Sequence, residues 1–218
     1  RNGYRFILME RMGSTLRSYM VKESQSSQTP EQLRLKVMIM TKIADIIFNV
    51  HQEGIIHRDI KPENIFFPPD GSGAGESISP QVRRSYEREI HVKLGDFGTV
   101  RWIRMYTDAF DGVIIGSQWY LSPEQIFNPE HLDTRTDIYS FGVVCYELLY
   151  GTHPKDINAD TKNILEKLAW AKPVRRTPPK GLEGLDEIIF RCMEEVELRY
   201  QSMAEVVRDL RLFLRKLN

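Results

Sequence analysis

The longest stretch of apolar residues at helical spacing begins at Glu31. Leu35, Met38, Ile39, Ile43, Ile46, Ile47 and Val50 fall on one helix face, and Val37, Met40 and Ala44 widen the stripe. The pattern predicts a long, mostly buried helix ending at Gly54, where glycine accepts the left-handed conformation of a C-terminal cap. A second helix is predicted from Asp137 to Tyr150. Ile138, Phe141, Val143, Val144, Leu148 and Leu149 leave it no polar face, and Gly151 stops it. A helix apolar on all sides must run through the middle of its domain. Thr134 and Asp137 have the spacing of a capping box at its start. Two amphipathic helices follow, one on Leu185, Ile188, Ile189, Cys192 and Met193, the other on Met203, Val206, Val207, Leu210, Phe213 and Leu217.

Strand signals are shorter. Tyr4 to Met9 is aromatic and branched, Gly13 reads as a turn, and a short helix is expected around Ser14 to Met20, followed by a Ser/Gln-rich link to Pro30. Ile65 to Phe67 and His91 to Leu94 read as two further strands. The connection between them, Pro68 to Ile90, is too long for a hairpin turn of ~2–5 residues and is therefore an insertion. Three prolines, three glycines and four serines give it the composition of a surface loop, with a regulatory or partner-docking segment as the alternative. The expected fold class is a mainly helical α+β domain without internal repeats.

Composition narrows the function classes. The 218 residues carry 30 Lys and Arg against 30 Asp and Glu, so the net charge is zero and the simplest argument for a nucleic-acid or membrane-surface partner disappears. With 41% apolar residues the chain can build a substantial core. Cys145 and Cys192 lie far apart inside apolar runs and read as small core residues in a reducing, cytoplasmic compartment. No apolar run reaches the ~18–20 residues that span a bilayer. The chain opens at Arg1 without an initiator Met, which reads as a piece of something longer.

The residues richest in chemistry are Ile56-His57-Arg58-Asp59-Ile60-Lys61-Pro62-Glu63-Asn64-Ile65 and, further on, Gly95-Asp96-Phe97-Gly98. They offer two carboxylates and an amide, a lysine two positions after the first acid, and glycine-flanked backbone at the second. Hard oxygen ligands of this kind suit Mg²⁺, which takes one or two carboxylates and fills its remaining sites with phosphate oxygens and water. Both runs border short strands, and together they point to phosphoryl transfer.

These runs resemble the eukaryotic-type Ser/Thr protein kinases, and the resemblance covers the family's large C-terminal lobe from a hinge strand at Ile7 to the final helix. It implies Asp59 as the catalytic-loop aspartate that orients the substrate hydroxyl and accepts its proton. Lys61 would stabilise the transferring phosphoryl group, and Asn64 and Asp96 would hold the magnesium ions that bridge the ATP phosphates. Gly116-Ser117-Gln118-Trp119-Tyr120-Leu121-Ser122-Pro123-Glu124 resembles the family's substrate-docking loop and its Ala-Pro-Glu anchor, here Ser-Pro-Glu. The resemblance implies that Glu124 pairs with Arg199 and that Asp137 holds the His57–Arg58 backbone as well as starting its helix. Lys61 with a hydroxyl at Ser117 is the family's pattern for Ser/Thr acceptors. Tyr120 to Gln125 and Arg199-Tyr200-Gln201-Ser202 look most like bacterial members.

The pattern departs from the family at the N-terminal lobe. No Gly-x-Gly-x-x-Gly loop, strand lysine or partner glutamate is present. The resemblance leaves Glu10 and Met12 as hinge candidates and Phe66 as the adenine floor, with ordinary packing as the alternative for all three. The resemblance implies a negative charge facing Arg58 from the activation segment, supplied by phosphorylation of Thr107 or by Asp108 or Asp111 as a permanent charge, with solvated loop acids as the alternative. Three function classes follow: a Ser/Thr protein kinase using ATP and Mg²⁺ on a protein substrate, a pseudokinase or interaction scaffold, and a small-molecule phosphotransferase, which the docking loop disfavours.

Overall fold

The computed structural model describes residues 10–24, 28–69, 90–99, 101–102, 118–155, 157 and 164–217. The expected strand Tyr4 to Met9, residues 70–89 of the insertion, and the activation residues Thr107, Asp108, Asp111 and Ser117 lie outside the described residues.

Helix α1, Leu16–Glu23, starts where Thr15 Oγ1 accepts the Ser18 N–H at 3.2 Å, an ordinary N-cap. Gly13 is needed for close approach rather than for a turn. A Cβ there would stand 2.5 Å from the Pro68 carbonyl oxygen. The Gly13 N–H donates to Phe67 O at 2.9 Å and the Phe67 N–H to Ser14 O at 2.8 Å, so the segment before α1 runs beside Phe66 and Phe67.

Helix α2, Pro30–Gln52, opens with a full capping box between Thr29 and Gln32, with proline at its first turn. It buries Leu33, Val37, Ile39, Met40, Ile43, Ala44 and Ile47, and Gly54 closes it at φ +74° as its sequence position predicts. Strand β1, Ile55–Ile56, then pairs antiparallel with β4, Arg101–Trp102, while β2, Ile65–Phe66, pairs antiparallel with β3, Lys93–Leu94. Ile65 stands opposite Leu94, and Phe66 opposite Lys93.

The short helix α3, Pro123–Phe127, carries a second capping box between Ser122 and Gln125. Helix α4, Arg135–Tyr150, is the expected central helix: every residue from Thr136 to Tyr146 is buried, as are Leu148 and Leu149. Gly142 lets α4 touch α6, Leu185–Cys192, because a Cβ there would lie 2.7 Å from Cys192 Cβ. Helix α5, Ile164–Trp170, lies near α3, and α7, Met203–Lys216, covers α2 and α6.

One expectation is corrected. Thr134 has helical backbone angles and makes no side-chain cap, so Thr134 and Asp137 do not form a capping box. The Asp137 carboxylate is taken up by a different segment of the chain.

The expected partnership between Glu124 and Arg199 is present. Arg199, 1% exposed, donates to Glu124 Oε1 at 2.6 Å and to Oε2 at 3.2 Å, joining α3 to the turn before α7. Among the described residues no helix is long and apolar enough to cross a membrane.

Candidate active site

The catalytic-loop run leaves β1 through a backbone conformation that only a held residue keeps. Arg58 has φ +67°, in the left-handed region that non-glycine residues rarely enter, at a cost of about 1–3 kcal/mol. Asp137, fully buried in α4, supplies the hold. Its Oδ2 accepts the His57 N–H and its Oδ1 the Arg58 N–H, each at 2.8 Å, and Oδ2 also meets His51 Nε2 at 2.8 Å. Gln125 Nε2 donates to Arg58 O at 2.9 Å from α3. The central helix and the capped turn at Ser122 thus fix the chain just before Asp59.

Asp59 is buried. Lys61 Nζ donates to its Oδ2 at 2.7 Å, and Asn64 Nδ2 donates to the same oxygen at 3.0 Å and to Asp59 O at 2.9 Å. The 3₁₀ turn Pro62–Asn64 brings that amide back over Asp59. Asn64 O then accepts the Gly95 N–H at 2.9 Å, and His57 Nε2 lies 3.0 Å from Gly95 O. Both sides of Gly95 are therefore tied to the catalytic loop, and the next residue is Asp96.

Asp96 itself adopts φ +60°, is exposed, and accepts the Gly98 N–H at 3.4 Å. A side chain at Gly95 would force the Phe66 ring to move, since a Cβ would meet Phe66 Cε2 at 2.8 Å. Phe97 packs edge-on against His57 with ring centres 4.9 Å apart. Of the predicted set, Asp59, Lys61 and Asn64 are in direct contact, and Asp96 joins them through the backbone of Gly95. The half-buried Phe66 lies against that glycine. Glu10 is exposed and ion-paired with Lys93 on β3, and Met12 is half-buried beside the chain that borders β2.

Sequence reading missed one group. Arg17 on α1 donates Nε to Glu63 Oε1 at 2.7 Å and Nη1 to Glu147 Oε1 at 2.7 Å, and Nη2 reaches the Tyr120 hydroxyl. Tyr120 in turn donates to Glu147 Oε2 at 2.7 Å. Burial works against the guanidinium's charge, but the carboxylates of Glu147 and Glu63 outweigh it and hold Arg17 above its ordinary value. Burial, then Glu147, pushes the Tyr120 hydroxyl up. Four segments meet here: α1, the catalytic loop, the docking segment and α4. No local sequence signal announces it, because the partners lie far apart along the chain.

Asp137 on the buried helix thus holds the 57–58 backbone, and the same run holds the Gly95–Asp96–Phe97 turn through Asn64 and His57. Residues 1–209 match the protein kinase domain family, and the chain belongs to it. Among curated proteins it is 31% identical over 211 residues to a probable serine/threonine-protein kinase of Clostridium perfringens, covering 94% of this chain and 27% of that protein. It is 35% identical over 150 residues to the serine/threonine-protein kinase PknL of Mycobacterium tuberculosis, covering 68% of this chain and 31% of PknL. It is 31% identical over 212 residues to PknB of Mycobacterium leprae, covering 94% of this chain and 30% of PknB. The chain thus spans about a quarter to a third of the length of these relatives, and the resemblance to bacterial members is borne out.

Proposed function

We propose that this chain is the hinge strand and C-terminal lobe of a Ser/Thr protein kinase that transfers the γ-phosphoryl group of ATP, with Mg²⁺, to a serine or threonine hydroxyl of a protein. The observation that carries the reading is the convergence of Lys61 and Asn64 on Asp59 Oδ2, beside a Gly95–Asp96 backbone bonded to Asn64 and His57. Asp59 orients the acceptor hydroxyl and takes its proton, and the two donors on Oδ2 fix the plane of the carboxylate. Lys61 brings a positive charge to the phosphoryl path. Unit charges ~4 Å apart in a partly screened site interact by about 4 kcal/mol, enough to matter to a loose, charge-dispersed transition state.

The donor set fits Mg²⁺. Asn64 spends Nδ2 on Asp59, which leaves Oδ1 as its acceptor, and Asp96 adds an exposed carboxylate. When bound, the ion offsets charge on the ATP phosphates. Glu10, Met12 and Phe66 border the adenine side of the site in this reading. Residues 1–218 are the part of a catalytic domain from its hinge strand through its C-terminal lobe, with 68–90 as an inserted loop, and its partner is the protein acceptor. The buried, unlinked thiols Cys145 and Cys192 support a reducing, cytoplasmic setting.

Incubating the full-length protein with γ-labelled ATP and a generic basic acceptor protein tests the reading. Label is expected on acceptor serine and threonine, and only with the divalent ion present. Absence of transfer with either Mg²⁺ or Mn²⁺ would overturn it in favour of a pseudokinase scaffold.

A further inference from the structure

The turn that follows α4 is tied down on several sides. Gly151 closes the helix at φ +72°, and Pro154 O accepts the Val174 N–H at 2.7 Å. The buried Lys155 donates its Nζ to Leu168 O on α5, and the same amine lies 5.2 Å from the centre of the Tyr139 ring on α4. His153 stands in the middle of this turn, so its ring projects from a fixed support. Nothing in the chemistry at Asp59 and Asp96 accounts for a histidine here.

Both ring nitrogens are in use. Nε2 lies 2.8 Å from Trp119 O, and because a carbonyl oxygen can only accept, Nε2 carries the hydrogen and donates it. Nδ1 then accepts the Lys155 N–H at 3.2 Å, closing the turn as an asparagine side chain closes an Asx-turn. The His153 and Trp119 rings also pack edge-on, with centres 5.4 Å apart. The next carbonyl is held as well, by Ser140 Oγ on α4, which donates to Tyr120 O at 2.7 Å. On its other side the 3₁₀ turn Gln118–Tyr120 is joined to the catalytic loop. The Tyr120 hydroxyl meets Arg17, which pairs with Glu63, four residues after Asp59, and Gln125 holds Arg58 O.

We propose that His153 is a positioning residue for the protein acceptor: through the Trp119 carbonyl and ring it fixes the turn along which the acceptor chain lies while its hydroxyl reaches Asp59. The proposal rests on the protein-kinase reading above. Gln118 is exposed and Trp119 half-buried, so the turn presents both to a chain that approaches the catalytic loop from this side. His153 touches neither ATP nor the reacting atoms, and its effect falls on acceptor binding alone. A residue that only holds a wall of the acceptor path changes the acceptor KM and leaves kcat and the ATP KM in place.

Two amide substitutions separate the ring's two bonds. In asparagine the side-chain oxygen stands where Nδ1 does, so the turn stays closed but Trp119 O is out of reach, whereas the glutamine nitrogen falls where Nε2 does and can still donate to it. Steady-state phosphorylation of a generic basic acceptor protein by the full-length protein, at varied acceptor and at varied ATP, compares them. His153→Asn is expected to raise the acceptor KM roughly three- to tenfold, the scale of one lost hydrogen bond, with kcat and the ATP KM unchanged. Its melting temperature should fall by no more than ~2–4 °C. His153→Gln is expected to return the acceptor KM close to that of the parent protein. An unchanged acceptor KM in His153→Asn, a glutamine variant as impaired as the asparagine one, or an ATP KM that rises alongside would overturn the proposal. So would a much larger fall in melting temperature, which would make His153 a strut of the fold. A parent protein that transfers no label to any acceptor would instead sink the kinase reading, and this proposal with it.

Discussion

Replacing Arg199 with alanine is expected to destabilise the chain by about 3–5 kcal/mol, the usual consequence of removing one partner of a buried ion pair. The guanidinium does more than meet Glu124. Nη1 also donates to Arg135 O at 2.8 Å and Nε to Glu194 O at 3.1 Å, and the group lies 5.0 Å from the centre of the Tyr139 ring. Lysine has neither the fork nor the reach in three directions, so Arg199→Lys should rescue little. From the other side, Glu124→Ala leaves an arginine with 1% exposure uncompensated, and a similar loss is expected. Against a typical domain stability of about 5–15 kcal/mol, either change removes a large share. Urea unfolding of both single variants and of Glu124→Leu with Arg199→Leu checks this. The double variant should lose clearly less than the sum of the singles. Single losses below about 0.5 kcal/mol would mean that the pair behaves as a solvated surface contact.

Asp137→Ala is expected to cost about 2–6 kcal/mol, because it orphans two buried backbone donors at a penalty of ~1–3 kcal/mol each. The carboxylate serves the His57 N–H, the Arg58 N–H and His51, and nothing else described near it accepts from the first two. Without it, Arg58 relaxes from φ +67° and the aspartate that follows swings from its place. Turnover by the surviving folded protein should then fall by about a hundredfold, since a displacement of ~1 Å in a catalytic group costs that much. Amide hydrogen exchange separates the two effects. His57 and Arg58 should be strongly protected in the parent chain and exchange readily in the variant, and retained protection would show that Asp137 is not their anchor.

Much of this architecture was readable before any coordinates. The long helix before Gly54 and the apolar helix before Gly151 announced themselves by periodicity; Gly54 takes the left-handed conformation expected of it, and Gly151, expected only to stop its helix, takes it too. Residues 59, 61 and 64 stand out together because they lie within six positions of one another, whereas only the fold brings Asp96 beside them, through the Gly95 backbone. Other features were written over distances that no window spans. Strands β1 and β4 have two residues each, too few for any alternation to register. The Ser122–Gln125 capping box was present in the sequence, yet a five-residue helix gave no periodicity to attach it to. At Thr134 the same spacing rule failed, because the acid it would have used is bound to the catalytic loop. Arg17 looked like any surface arginine, and only folding brings Glu63, Tyr120 and Glu147 around it.

Asp59 and Asp96 are expected to do different work in one site. Calorimetric titration of Mg²⁺ and ATP into the full-length protein and its Asp59→Asn and Asp96→Asn variants measures that division directly. Asp96→Asn is expected to abolish the Mg²⁺-dependent part of nucleotide binding, while Asp59→Asn keeps that binding and loses turnover. Equal loss of affinity in both variants, or undiminished affinity in both, would contradict the account.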